Sequence, residues 1–317
     1  MPKLMLILWL SLLAITPTVA EDVPFPVDQN ARYYLNIPKD GLTAFLSRPS
    51  IPLPLVSHHR GGPAPGFPEN AIETMDNALK YGYGFMEVDV AQLKDGTLIL
   101  MHDDTLDRTT NGEGNLRNKT WADVKSLFLE DETGALTTFK VPLLRDVLSW
   151  AKGKTILTLD IKPSVDFKKV ADLVTSTGAH DYTAAIAYSI DQAIDFHRLA
   201  PNMPMSVGLT NTADIEEFDR SGIPSKLVIA WTGTRLASNS HYANLHARNW
   251  RVIVGTLGGR ENSIDSKIRD GKTQITYTDI IKRGADIIAT DRFWAAQREL
   301  KNPNLFIYSK SNIASRP

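Results

Sequence analysis

Three short groups of side chains are of the kinds that move protons or hold phosphate: His59-Arg60-Gly61, Glu87-x-Asp89 and His102-Asp103. The carboxylate pair sits in an apolar run, Phe85 to Val90 (FMEVDV). On a strand, residues i and i+2 share a face, so Glu87 and Asp89 project together while Val88 and Val90 point the other way. Taken alone, such a pair is more often the wet face of a strand, because acidic residues are mostly exposed. Two like charges half-buried together are costly unless positive charge stands between them. A hard divalent cation with oxygen ligands meets that need.

His59 and His102 each end an apolar run, PLVSHH and TLILMH. One histidine in such a place is readily a satisfied structural residue. Two of them, with an arginine beside one and an acidic pair between, suit general acid–base work at a phosphoryl centre. Arg60 offers a planar donor fork to two phosphate oxygens, or a salt bridge to Glu69. His58 competes with His59, but neighbours on a strand face opposite ways, so one of the two is expected in a site. His180, His197, His241 and His246 have no motif around them and are expected to be structural or surface residues.

In order along the chain, HRG (His59 to Gly61), PEN (Pro68 to Asn70), ExD (Glu87 to Asp89), KDG (Lys94 to Gly96), MHD (Met101 to Asp103) and LDRTT (Leu106 to Thr110) resemble the glycerophosphodiester phosphodiesterase family. LTLDIKP (Leu157 to Pro163) and GADIIATDRF (Gly284 to Phe293) extend the match. Each motif alone is weak; so many in one order are specific. The resemblance implies a TIM (β/α)8 barrel with a small inserted subdomain after the second strand, lying over the C-terminal mouth. It implies metal-dependent hydrolysis of glycerophosphodiesters to glycerol 3-phosphate and an alcohol such as choline or ethanolamine. Glu87, Asp89 and Asp160 would be the metal ligands. His59 and His102 would serve as acid and base, in an order the sequence does not fix. Arg60, Lys162 and Glu69 would contact phosphate or substrate. An all-oxygen ligand set favours Mg²⁺ or Ca²⁺ without choosing between them.

Two positions depart from the family pattern. The family more often has Glu where this chain has Asp160, and usually has Trp where this chain has Gly255. Trp250 and Trp294 are the nearby candidates to fill that space. Two rival readings keep the same scaffold. One is a phospholipase-like enzyme acting on lysophospholipid or sphingomyelin head groups. The other is a non-catalytic protein that binds phosphodiesters.

The elements that would carry these groups alternate. Strands are expected at Leu55 to His59, Phe85 to Val90, Thr155 to Ile161, Ala184 to Tyr188, Met205 to Gly208, Leu227 to Trp231, Val252 to Thr256 and Ile287 to Thr290. Helices are expected at Asn70 to Tyr81, Val141 to Ala151, Asp166 to Thr175, Ile190 to Leu199, Thr212 to Arg220, Leu236 to Arg248 and Thr276 to Arg283, with one more after Asp291. Repeated β-then-α units point to a closed parallel barrel, with an open doubly wound sheet as the alternative on pattern alone. Asn70 is placed at the N-cap of the first helix. GGPAPG after Arg60 reads as a flexible loop and not a P-loop, since no GK[ST] follows. The insert, from Leu93 to Lys140, begins with a KDG hairpin turn. Asp103, Arg108 and Thr109 are expected to order the loop after His102.

Three parts are read in the chain: a signal peptide over 1–20, an N-terminal segment over 21–50 and the barrel over 51–317. Met1 to Ala20 has Lys3, an apolar core and a small-residue cleavage site at Thr18-Val19-Ala20. Its length is short for a membrane span, so export with no stable membrane anchor is expected. Within Asp28 to Ser47, ARYYL and LTAFL have helical potential, and the segment is expected to cap the barrel's lower end. Cysteine is absent, which excludes thiol chemistry and zinc–thiolate sites. A net charge of −1 gives no electrostatic case for nucleic-acid binding. A small anionic phosphodiester must therefore be held by local charges.

Overall fold

The structure, a computed structural model, describes residues 30–38, 41–47, 54–258, 261–300 and 313–315. The expected signal peptide lies outside the described residues. In chain order the elements are β1 (Tyr33–Leu35), α1 (Gly41–Leu46), β2 (Leu55–His58), α2 (Ile72–Ala78), β3 (Gly84–Gln92), β4 (Leu98–Leu100), α3 (Trp121–Val124), β5 (Phe128–Glu130), β6 (Leu136–Lys140), α4 (Leu144–Ala151), β7 (Ile156–Ile161) and α5 (Phe167–Ser176). They continue with β8 (Thr183–Ala187), α6 (Ile190–Leu199), β9 (Met205–Gly208), α7 (Thr212–Arg220), β10 (Val228–Trp231), α8 (Asn239–His246), β11 (Arg251–Gly255), α9 (Ile264–Arg269), α10 (Tyr277–Arg283), β12 (Ile287–Thr290), α11 (Phe293–Leu300) and β13 (Ile313–Ser315).

Eight parallel strands run in the order β2, β12, β11, β10, β9, β8, β7, β3, and pairing of β2 with β3 closes the ring. The closure decides for the barrel over the open sheet. These strands are short apolar runs because helices cover the sheet outside and side chains fill it inside; every residue of β7 is buried. The helices start where the sequence supplies caps. Asp166 accepts from Lys168 N–H, and Asn211 with Asp214 and Thr276 with Asp279 form capping boxes.

The lower end of the barrel is plugged. Leu35, Leu42, Phe45 and Leu46 pack with Leu55, Phe85, Ile156 and Ile229. The pre-barrel segment thus caps this end as expected, but half of it differs in form. LTAFL is helical in α1, whereas ARYYL supplies β1, which pairs antiparallel with β13. Two aromatic residues in a row fit a strand better than a short helix.

The upper end carries the insert. Its KDG turn closes the β3–β4 hairpin, with Val90 opposite Leu100 and Gln92 opposite Leu98. Further on, β5 and β6 form a second hairpin. Gly66 N–H donates to Asp131 Oδ2 at 2.7 Å, tying that hairpin to the glycine-rich loop after β2. The helix α9 was not expected; Ser263 caps it by accepting from Ser266 N–H. Among the described residues no helix is long and apolar enough to cross a membrane.

Candidate active site

The strand register builds the site. Asp89 lies beside Asp160 across the β3–β7 pair, and Glu87 beside Thr158. Oxygens of Glu87, Asp89 and Asp160 all lie within 4.8 Å of one another. Burial and the neighbouring Asp89 push Glu87 up, to about 8. Burial opposes the charge on Asp89 too, but Lys162 and the Asn70 amide hold it below its ordinary value. Carboxylates this close oppose one another's ionisation, and positive charge beside them relieves it.

Lys162 stands 2.7 Å from Asp89 and 2.8 Å from Asp160. Its ammonium is engaged with the carboxylates, where the sequence pointed to a phosphate contact. Asp160 Oδ1 is buried and makes no hydrogen bond. An acceptor oxygen left over in a cluster of three carboxylates, in a chain without cysteine, fits a hard divalent cation.

Asn70 does not cap α2. The N-cap is Ala71, and it makes no side-chain cap. Asn70 adopts φ 60° and donates from Nδ2 to Asp89 Oδ2 at 2.8 Å, while its Oδ1 accepts from Asp89 N–H at 2.9 Å. Arg60 also has positive φ, 50°, and its carbonyl accepts from Asn70 N–H. Asparagine tolerates this conformation through local hydrogen bonding; arginine rarely adopts it. The turn is held so that Arg60 N–H donates to Glu87 Oε2 at 2.8 Å.

The Arg60 guanidinium donates to Glu69 at 2.9 Å, and its Nε lies 3.9 Å from Asp89 without a hydrogen bond. Glu69 also accepts a two-pronged contact from Arg108. Arg108 in turn reaches both oxygens of Asp103, and Asp103 Oδ1 lies 2.7 Å from His102 Nδ1. Asp103 and Arg108 thus order the surroundings of His102, as expected. The other loop residue, Thr109, bonds Met101.

The two candidate histidines are held differently. His59 opens a 3₁₀ turn after β2, and its Nδ1 lies 2.6 Å from Asp291 Oδ1. Its Nε2 is 4.0 Å from Glu87. Burial works against a charged ring, but Asp291 and Glu87 outweigh it and raise His59 to about 9. His58, pointing the other way, is fully buried, shares a hydrogen bond with Phe85 O at 2.8 Å and packs on Phe293. Burial pulls it down to about 4, so it is a neutral core ring. Of the other histidines, His246 meets Asp286 and His241 meets Leu209 O. Both contacts are structural.

Asp291 carries no obvious signal in the sequence beyond its place in ATDRF. Its Oδ2 accepts from Gly258 N–H, and its own N–H donates to Asp265 on α9. Asp265 is buried and also accepts from Thr290 and Tyr277 hydroxyls. The unexpected helix therefore supports His59 at two removes.

A cavity of about 230 Å³ opens at this end of the barrel, lined in part by His59, Glu87, Asp160 and Tyr188. Asp89, Lys162, Arg60, Glu69 and His102 are not among its lining residues. Asp89 feels the charge of His102, which favours its carboxylate. The space beside Gly255 is filled by neither of the expected tryptophans. Trp250 is buried against Phe218 and bonds Ser225, and Trp294 packs on Phe293. The ring of Trp231, from the neighbouring strand β10, occupies it instead; a Cβ on Gly255 would lie 2.5 Å from Trp231 Cη2.

Residues 59–187 match the model of the glycerophosphoryl diester phosphodiesterase family. A glycerophosphodiester phosphodiesterase of Bacillus subtilis is 32% identical over 166 residues, covering 46% of this chain and 56% of that protein. Glycerophosphodiester phosphodiesterase 1 of Rattus norvegicus is 42% identical over 117 residues, 36% of this chain and 35% of that protein. The chain thus spans about half or less of the length of these two relatives. A crystal structure of a glycerophosphoryl diester phosphodiesterase from Parabacteroides distasonis superposes with a TM-score of 0.81 at 29% identity, covering 90% of this chain and all of that one.

Proposed function

Since the chain belongs to the glycerophosphoryl diester phosphodiesterase family, we propose that it hydrolyses glycerophosphodiesters to glycerol 3-phosphate and an alcohol. The observation that carries this reading is the meeting of His59, on its Asp291 partner, with a cluster of three carboxylates at one cavity. Glu87, Asp89 and Asp160 would hold one divalent cation, Mg²⁺ or Ca²⁺. Bound there, the cation supplies Lewis-acid charge to the phosphate oxygens.

The chain's own residues do the rest. Asp291 fixes the His59 ring by its Nδ1 and leaves Nε2 turned toward Glu87 and the cavity. Asp103 fixes His102 in the same way, through Nδ1. Each ring then has one nitrogen to exchange a proton with the attacking hydroxyl or with the leaving alcohol. Arg60 and Lys162 keep positive charge beside the carboxylates and the entering phosphate. A phospholipase-like reading needs an apolar, membrane-contacting rim, and the insert from Leu93 to Lys140 is mostly polar. Export after signal cleavage completes the proposal and rests on Met1 to Ala20.

The test is direct. Purified protein is incubated with glycerophosphodiesters and lysophospholipids, with and without chelator, and glycerol 3-phosphate is followed. Release from the glycerophosphodiesters that stops with chelator supports the proposal. Release of no product from any diester, with cation present, rejects it.

A further inference from the structure

The cavity has two unlike walls. His59, Glu87 and Asp160 stand on one side, above the hydroxyls of Ser57 and Thr158 on the same strands. The opposite wall, from β8, β10, β11 and the loop after β11, presents Ile186, Trp231, Ile253 and Leu257. Between β8 and β10, β9 adds the hydroxyl of Ser206. The Trp231 ring reaches this position because Gly255 has no side chain: a Cβ there would meet Trp231 Cη2 at 2.5 Å and Thr234 Cγ2 at 3.0 Å. Tyr188 stands at the same rim with much of its ring exposed.

We propose that Trp231, seated over Gly255, forms a subsite for the leaving alcohol that selects a compact group with a quaternary-ammonium end. This rests on the hydrolase reading and names its substrate class. The glycerol arm carries hydroxyls, and burying a hydroxyl without a partner is costly. The Trp231 wall offers little to satisfy them, so that arm belongs on the side of Ser57, Thr158 and the carboxylates. A methylated ammonium has no N–H to satisfy, is apolar at its surface and is drawn to an aromatic face. Space agrees for the alcohol end: a cavity on the order of 150 Å³ holds benzene, so about 230 Å³ at the barrel mouth takes a group the size of choline. A bulky polyol alcohol would press on Trp231.

The experiment measures kcat/KM for glycerol 3-phosphate release from glycerophosphocholine, glycerophosphoethanolamine and glycerophosphoinositol, at saturating divalent cation. Wild type is compared with Trp231→Ala, Trp231→Phe, Gly255→Ala and the Gly255→Ala/Trp231→Phe pair, each checked by thermal melt. Wild type should favour the choline ester. Trp231→Ala should lower the choline-to-inositol ratio by roughly 3- to 30-fold, the span of a cation–π contact from exposed to desolvated. Gly255 lies outside the left-handed region, so Gly255→Ala strains no backbone and acts by displacing the ring. It should cut choline-ester turnover, and Trp231→Phe in the same chain should recover part of it. An active enzyme whose variants scale all three esters alike overturns the subsite alone. A wild type inactive on every ester overturns the hydrolase reading with it.

Discussion

His59 Nδ1 and Asp291 Oδ1 lie 2.6 Å apart although 232 residues separate them in the chain. The first and last strands of the barrel are neighbours, with Thr290 beside His58 in the register. Barrel closure therefore delivers the carboxylate to the ring. Gly258 and Asp265 then fix the carboxylate itself.

This relationship makes His59 separable from its neighbour by mutation. His59→Ala should lose at least roughly 10²-fold in kcat, the lower range of general acid–base contributions. Asp291→Ala should lose a smaller factor, about 10-fold, and shift the limb of the pH–rate profile that His59 governs. His58→Ala should melt earlier by the loss of a buried ring and its bond to Phe85, about 1–3 kcal/mol, yet keep most of its kcat at low temperature. A fully active His59→Ala would end the acid–base assignment.

Cation dependence follows from the carboxylate cluster. Glu87→Gln and Asp160→Asn should each weaken divalent-cation binding, measured by calorimetry on the folded protein, alongside a fall in rate. Asp160 leaves one buried oxygen unbonded, so Asp160→Asn should weaken binding while the protein stays folded through the remaining Lys162–Asp89 pair. Calorimetric binding unchanged in both variants would place the cation elsewhere.

Lys162 gives a prediction of opposite character. It is mostly buried and pairs with both Asp89 and Asp160. Removing one partner of a buried pair leaves uncompensated charge, at roughly 3–5 kcal/mol. Lys162→Met should therefore melt several degrees earlier in chelator, and added divalent cation should restore more stability to it than to wild type. Equal melting of the two proteins in chelator would show that Lys162 is not balancing the acids.

The insert hairpin should respond to acid. Burial raises Asp131, but hydrogen bonds from Thr133, Gly66 and Ala135 outweigh it and lower the carboxyl from 3.8 to about 2. A depressed folded value contributes stability that is whole above the unfolded value and lost as pH falls through the folded one. Hydrogen exchange at Gly66 and Ala135 should accordingly be slow at pH 5 after correction for intrinsic rate, and lose protection between about pH 4 and pH 2. Asp131→Asn should flatten that dependence. Protection that is unchanged down to pH 2 in wild type would count against it.

Much of this was written in the chain itself. Short apolar runs bounded by turns located all eight barrel strands to within a residue or two. The i, i+2 spacing put Glu87 and Asp89 on one face; His59 and His58 part as expected, although His59 lies in the 3₁₀ turn just past the strand end. Periodicity and spacing are local properties, so they can be read locally. What they could not supply was any distance between segments. The two tyrosines of β1 suit a strand, but its pairing with β13 is a contact between distant segments that the local pattern does not carry. Asn70 looked like a cap because Asn is a common cap; only the β2–α2 turn, folded back on β3, turns its amide to Asp89 instead. Asp265 and α9 gave no motif, and Asp291, though inside GADIIATDRF, was given no role; they gain meaning from closure of the ring. The space at Gly255 is filled by Trp231, a neighbour across the sheet and not along the chain. Strand order and register decided these points, because a side chain's partner is set by what packs beside it.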